Sequence, residues 1–246
     1  MPAREPVDIV VPFVGGEKAR AALLARLDAL ELAPGDTVTV VDNGTQAPAT
    51  DDDLRVLHAP ERPSSYLARN RGAERGRAPW IVFLDADVVP PPGLVDAYFS
   101  PPPADDVAVL AGGVADEAPN EIAARTPAAR YAALTAPMAQ ENTLGGRPGW
   151  SYAQTANVMV RRAAFAAIGG FDEHVRSAGD ADLCFRLRDA GWTLEPRPGA
   201  SVVHRNRTSL RALLRQRARH GSGTAWLHRA HPGSFPPHRS PGTVWW

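Results

Sequence analysis

Short apolar runs alternate along this chain with segments whose apolar residues recur every three or four positions. The run "DIVVPF" (8–13) predicts a strand that ends at Pro12 or carries it at its C-terminal edge. Ala22, Leu23, Ala25, Leu27 and Leu30 then keep helical spacing until Pro34-Gly35 stops them. "TVTVVDNGT" (37–45) alternates and breaks at Asn43-Gly44, which predicts a strand running into a tight turn. "LRVLH" (54–58) is a third strand candidate, and "SSYLARNRGAERGR" (64–77) a helix capped by Ser64 or Ser65. "WIVFLDAD" (80–87) is a buried strand that ends in acid. Strand, helix, strand, strand, helix, strand in this order predicts an α/β fold with a mostly parallel central sheet flanked by helices.

The second half is more mixed. "VAVLAGGV" (107–114) and "AQTANVMV" (153–160) are strand-like, and Pro127 interrupts a helical pattern over 120–134. "RRAAFAAIG" is a short helix closed by Gly169-Gly170, and "DADLCFRLRDAG" (180–191) a longer one whose Leu183, Leu187 and Ala190 share a face. "ASVVHR" is a last strand, residues 209–231 a basic helix, and the tail after it irregular. No repeat and no linker divides the chain, so 1–246 is expected to form one domain.

Composition narrows the class. With 44% hydrophobic and 22% charged residues the chain reads as an ordinary soluble protein. A single cysteine, Cys184, excludes an internal disulfide framework. No run approaches the roughly 20 apolar residues of a membrane span, and no apolar core follows Arg4 as in a secretory leader, so a cytoplasmic protein is expected. The net charge is zero but uneven: beyond Glu195 there is no acid, while nine arginines follow. That segment is expected to meet an anion, either a donor phosphate or the surface of a membrane touched peripherally. No nucleic-acid reader motif is present, and no nucleic-acid partner is expected.

Candidate chemistry gathers at strand ends. Ligands of an open parallel sheet sit outside its carboxyl edge, where Pro12, Asp42, Asp85 and Asp87 are expected to line up. Carboxylates collected there repel one another unless a cation sits among them, and Mg²⁺ or Mn²⁺ binds through one or two carboxylates together with substrate phosphates. A nucleoside diphosphate with its metal fits that demand. A Rossmann dehydrogenase does not, because no G-x-G-x-x-G follows the first strand. A nucleotidylyltransferase would want a Gly-rich basic loop, to which "VPFVGGEKAR" has only a faint likeness.

The motifs "DIVVPF", "VVDNGT", "LARNRGAERGRAPWIVFLDADVVPPPGLV", "ANVMVRRAAFAAIGGFDE", "AGDADLCFRLRDAGW" and "ASVVHR" occur in an order and spacing that resembles a family 2 glycosyltransferase across about residues 7–232. The resemblance implies the GT-A fold: a Rossmann-like nucleotide-binding half (about 7–115), a mixed acceptor-binding half (about 116–207), and a basic C-terminal helix and tail (about 208–246). It implies inverting transfer from a nucleotide sugar, most simply a UDP-sugar, to an unidentified hydroxyl acceptor with the help of Mn²⁺ or Mg²⁺.

Carried over residue by residue, it makes Pro12, Asp42, Arg69, Asp85, Ala86 and Asp87 nucleotide-sugar contacts. Asp87, with His204 and Asp85, would hold the metal, and Asp180 would be the general base. Trp150 and Asn157 are acceptor-site candidates, although Trp150 could equally pack under its Gly-Pro loop. Arg161 and Arg162 either reach phosphate or open a surface helix. Two departures stand out: Asn43 replaces the second aspartate of Val-Asp-Asp, and Gly179 replaces the Glu of the family's Glu-Asp pair. Gly179 motivates the alternative of a nucleotide-sugar-binding protein with little or no turnover.

Overall fold

The computed structural model describes residues 4–44, 53–117, 126–135, 138–145, 151–205 and 209–233. In chain order the elements are β1 (Val7–Phe13), α1 (Glu17–Leu27), β2 (Thr37–Asp42), β3 (Val56–His58), α2 (Ser65–Arg75), β4 (Trp80–Leu84), β5 (Val88–Val89) and α3 (Leu94–Tyr98). There follow β6 (Val107–Asp116), α4 (Pro127–Thr135), α5 (Glu141–Leu144), β7 (Asn157–Arg161), α6 (Arg162–Ala167), α7 (Gly179–Asp189), β8 (Thr193–His204) and α8 (Leu210–Ala230). The eight strands of the described residues form one sheet in the order β3-β2-β1-β4-β7-β6-β8-β5. β1 to β4 are parallel, β7 runs against both its neighbours, β6 and β8 are parallel, and β5 runs against β8. Six strands therefore share one direction, and the mostly parallel sheet expected from the sequence is what forms.

Period-two alternation decides which face each residue serves. In β4, Trp80, Val82 and Leu84 join Val7, Ile9 and Val11 under Leu23 and Leu27 of α1 and Leu94, Val95 and Tyr98 of α3. Ile81 and Phe83 face the other way, towards Leu67 of α2, Phe165, Phe171 and Leu183 of α7. Each such fully buried large side chain contributes about 1.5–3 kcal/mol. Helix α2 lies so close to β1 that a Cβ on Gly72 would sit 2.3 Å from Val10 Cγ1. That closeness carries Tyr66 and Arg69 over the carboxyl end of β4.

Pro12 stands at the C-terminal edge of β1, one of its two expected places: the pairing with β4 stops at Val10, so the missing N–H falls where only β2 is a partner. Other boundaries differ from the sequence pattern, each for a visible reason. β7 starts at Asn157, four residues later than the pattern suggested, because the segment before it leaves the sheet and Gln154, Thr155 and Ala156 line a cavity. β8 starts seven residues earlier than expected; Pro196, Pro198 and Gly199 hid it, and its pairing with β6 shifts register between Gly112 and Val114. Helix α4 opens on Pro127, so the proline starts a helix rather than interrupting one. Trp150, the residues before Thr126 in that helical pattern and the tail from 234 lie outside the described residues.

Candidate active site

Strand direction brings the carboxyl ends of β4, β6 and β8 to one edge, together with the start of β7. Asp85 follows β4, Asp116 ends β6 and His204 ends β8. The Asp85-Ala86-Asp87 turn is held there by backbone bonds. Asp85 N–H donates to Ala156 O (3.2 Å), Val88 N–H to Asp85 O (3.3 Å) and Arg205 N–H to Asp87 O (2.9 Å). Arg26 of α1 donates to Ala86 O at 2.7 Å. The two-residue strand β5 then pairs Val88 with His204, which brings Asp87 back against the imidazole.

A cavity of about 420 Å³ opens over this edge, lined among others by Tyr66, Arg69, Asp85, Asp87, Asp180 and His204. Arg69 projects from the buried face of α2, and its Nη2 meets Asp85 Oδ1 at 2.5 Å. Its guanidinium also lies 5.7 Å from the Tyr66 ring centroid and 5.8 Å from that of Phe171. Arg69 Nε is buried without a hydrogen-bond partner. Asp87 Oδ2 lies 3.5 Å from His204 Nε2, while His204 Nδ1 lies 3.4 Å from Asp116 Oδ1. Burial pulls the His204 pKa down, but Asp87 and Asp116 outweigh it and the net shift is upward. An imidazole between two carboxylates calls for positive charge, as a proton on the ring or as a cation between Nε2 and Asp87.

Those two groups suit a divalent ion. Oxygen and imidazole ligands at about 2.0–2.2 Å are compatible with the 3.5 Å that separates Asp87 Oδ2 from His204 Nε2. Among the described residues no group of three His, Cys, Asp or Glu side chains is arranged to hold an ion alone. Asp85 is turned to Arg69, so the remaining positions would fall to substrate oxygens and water. Asp116, which the sequence reading passed over, stands behind His204 on the Nδ1 side, where it would orient the ring if Nε2 held an ion. It carried the same signal as Asp42 and Asp85, an acid at the end of an apolar strand.

Asp180 reaches the cavity from the first turn of α7. Burial raises its pKa, opposed by Arg69 and by the backbone N–H groups of Asp180 and Ala181, with Asp85 adding to the rise. Two residues on, Asp182 is occupied elsewhere: it binds Arg186 at 2.6 Å and His231 at 2.8 Å, tying α7 to the end of α8.

The other expected residues sit apart. Pro12 and Asp42 share the sheet edge but not the cavity lining. Asp42 accepts from Gly44 N–H at 2.9 Å, with Arg20 3.5 Å away. Ala86 gives its carbonyl to Arg26. Asn157 corrects an expectation: it is fully buried, accepts from Tyr98 Oη (2.7 Å) and donates to Gly113 O (2.9 Å) and Ala200 O (2.7 Å), so its amide is used up inside the sheet. Arg161 and Arg162 reach no phosphate subsite. Arg161 covers Trp80 and donates to Val107 O, and Arg162 is bound by Asp8, Ala73 O and Ala78 O.

Asn43 is structural. Its Nδ2 donates to Ala59 O and, at 2.8 Å, to Arg62 O; its Oδ1 accepts from Ser64 N–H at 2.5 Å. Ser64 Oγ in turn caps α2 through Leu67 N–H (3.3 Å). An amide is needed there because both donors are spent on carbonyls.

Comparison with known proteins agrees with this architecture. The family model described as glycosyltransferase like family 2 matches residues 19–223. A pre-mycofactocin glycosyltransferase of Mycobacterium tuberculosis is 31% identical over 96% of this chain and 50% of its own length. Glycosyltransferase AglE of Haloferax volcanii is 31% identical over 64% of this chain and 52% of its own. This chain thus spans about half the length of these curated relatives. A mannosyltransferase of Pyrobaculum calidifontis, solved with GDP-Man and Mn²⁺, superposes with a TM-score of 0.65 at 15% identity, covering 98% of this chain and 67% of that one. GalNAc-T7, solved with UDP, GalNAc and Mn²⁺, gives 0.55 at 14% identity over 82% and 43%. At such identity the likeness concerns the fold, which is GT-A. With residues 19–223 matched by one family model, the chain belongs to the family 2 glycosyltransferases.

Proposed function

We propose that this chain catalyses inverting, metal-dependent transfer of a sugar from a nucleotide-sugar donor, most simply a UDP-sugar, to a hydroxyl acceptor. The observation that carries the reading is that Arg69, Asp85, Asp87, His204 and Asp180 line a single cavity. Asp87 and His204 would hold Mn²⁺ or Mg²⁺ through the donor's diphosphate. The ion would supply charge neutralisation for the departing nucleoside diphosphate. Structural neighbours solved with Mn²⁺ beside GDP-Man or UDP support a divalent ion without choosing the nucleotide.

The chain's own side chains divide the work. Arg69 holds Asp85 in one orientation, so that its free oxygen presents an acceptor towards the donor. Asp180 takes the proton from the attacking hydroxyl. Its raised pKa moves it towards the operating pH, which favours a general base. Helix α7 points its N-terminus at that carboxylate and keeps its ionised form accessible. Pro12, Asp42 and Ala86 support the nucleotide side in this proposal.

Arg197 is buried and spent on Tyr98 O, Pro101 O and Glu195, so it is the arginines from Arg205 onward that either neutralise donor phosphate or rest on an anionic membrane. Among the described residues no helix is long and apolar enough to cross one. Because two relatives bear the name pre-mycofactocin glycosyltransferase, pre-mycofactocin is the first acceptor to offer.

The test is donor turnover with UDP-sugars and GDP-mannose in Mn²⁺, with and without acceptor. Slow donor hydrolysis that disappears in Asp180→Asn, with nucleotide binding intact, is expected. Tight UDP binding with no turnover on any acceptor would instead favour the binding-protein alternative.

A further inference from the structure

Helix α7 receives no side-chain cap from the residue that flanks its start, and the Asp180 carboxylate serves only the N–H groups of Asp180 and Ala181. Ala178, the flanking residue, takes a left-handed conformation (φ +73°), a strained state for an alanine. It has no side-chain oxygen to offer the first N–H groups of the helix. The acceptor comes from α2: Tyr66 Oη receives the Gly179 N–H at 2.8 Å, across 113 residues of sequence. Ring and glycine fit only together, because a Cβ on residue 179 would lie 2.6 Å from Tyr66 Cζ.

The same ring is fixed on its other sides. It stacks on Phe171 with centroids 5.5 Å apart, and Arg69 lies against it at 5.7 Å. Arg69 is the residue that grips Asp85. One buried phenol therefore touches both the helix start that carries Asp180 and the guanidinium that sets Asp85.

We infer that Tyr66 is a positioning residue for sugar transfer, capping α7 from α2 and fixing Asp180 relative to the Arg69–Asp85 pair. This rests on Asp180 being the base. Asp180 lies one residue beyond the capped N–H, so its carboxylate moves with the first turn of α7. Rate is far more sensitive to such a displacement than binding is, since a shift of about 1 Å can cost 100-fold. The groups assigned to the donor, Asp85, Asp87 and His204, do not depend on the Gly179 N–H.

Tyr66→Phe keeps the ring and removes the acceptor oxygen. We expect kcat to fall about tenfold, the value of roughly one hydrogen bond, while donor KM stays within about twofold. With glycine-¹⁵N labelling, the Gly179 amide should move upfield and exchange faster with solvent. Gly179→Ala should lose about tenfold or more in kcat beside Tyr66, and about threefold or less in a Tyr66→Leu background where Cζ is gone.

An unchanged kcat in Tyr66→Phe, a loss confined to donor KM, or an unmoved Gly179 amide would each overturn the inference. Simple additivity of Tyr66→Leu and Gly179→Ala would do so too, and that comparison remains informative where a single variant is unstable. If Asp180→Asn keeps full turnover, the base assignment fails instead, and the amide resonance still reports whether Tyr66 caps the helix.

Discussion

Asn43→Asp restores the residue that the family motif carries, yet the structure says it should harm this protein. Asn43 is 2% exposed. Its amide nitrogen donates to Ala59 O and Arg62 O, and Ala59 is itself buried. The substitution changes one NH₂ into an oxygen without changing shape. Two donated bonds are lost, at about 1 kcal/mol each, and a buried carbonyl left unpaired adds about 1–3 kcal/mol. The expected deficit at neutral pH is about 3–5 kcal/mol, a large share of a domain stability of about 5–15 kcal/mol. At roughly 2–4 °C per kcal/mol for a chain of this size, melting should fall by roughly 6–20 °C.

The pH dependence gives a second handle. A carboxylate facing two carbonyls would have its folded pKa raised above about 3.9, its unfolded value. The folded state then binds the extra proton, so the deficit is complete above the folded pKa and shrinks as pH falls through it. Protonation returns one donor. Urea denaturation of both proteins at pH 7.5 and pH 5 measures this directly. A variant within about 0.5 kcal/mol of the parent at pH 7.5, or one whose deficit widens on acidification, would refute the role given to the amide. Activity should follow stability, because Ser64, which Asn43 holds, caps the helix that carries Tyr66 and Arg69.

Two further predictions concern the cavity. Asp116→Asn should weaken Mn²⁺ binding to the nucleotide-loaded protein by about 10- to 100-fold, read by calorimetry; equal affinity would detach Asp116 from the metal side. In the kcat/KM profile against pH, the acid limb reports Asp180 in the free enzyme. Burial raises that pKa, so the limb should lie above about 3.9, and a limb at or below that value would contradict the desolvated base.

Much of this arrangement was legible in sequence because strand ends announce themselves. Apolar runs followed by acid located Asp42, Asp85 and Asp87, and the direction shared by β1 to β4 follows from helices between strands. The same rule covers Asp116, where the double glycine Gly112-Gly113 drew attention away from the strand end. What pattern could not supply was pairing across the sheet. β5 is two residues long and has no periodicity to detect, yet with the Arg205 N–H bond to Asp87 O it folds Asp87 onto His204. β8 was obscured by prolines tolerated where its ladder with β6 slips. Asn157 looked available because it begins the strand that leads towards Asp180. Its burial depends on Tyr98 and on carbonyls from β6 and β8, none of them near in sequence.

Both departures from the family pattern acquire physical reasons at these contacts. Residue 43 is an amide because its nitrogen faces two carbonyls, and residue 179 has no side chain because the Tyr66 ring fills the space where one would start. A missing acid at 179 need not weaken the neighbouring carboxylate: Asp180 keeps its place in the first turn of α7, and the phenol supplies an anchor for that turn. Substitutions that follow from local packing are poor evidence for lost chemistry. The choice between enzyme and binder therefore turns on Asp180 itself, on whether removing one ionisable oxygen stops turnover while the nucleotide still binds.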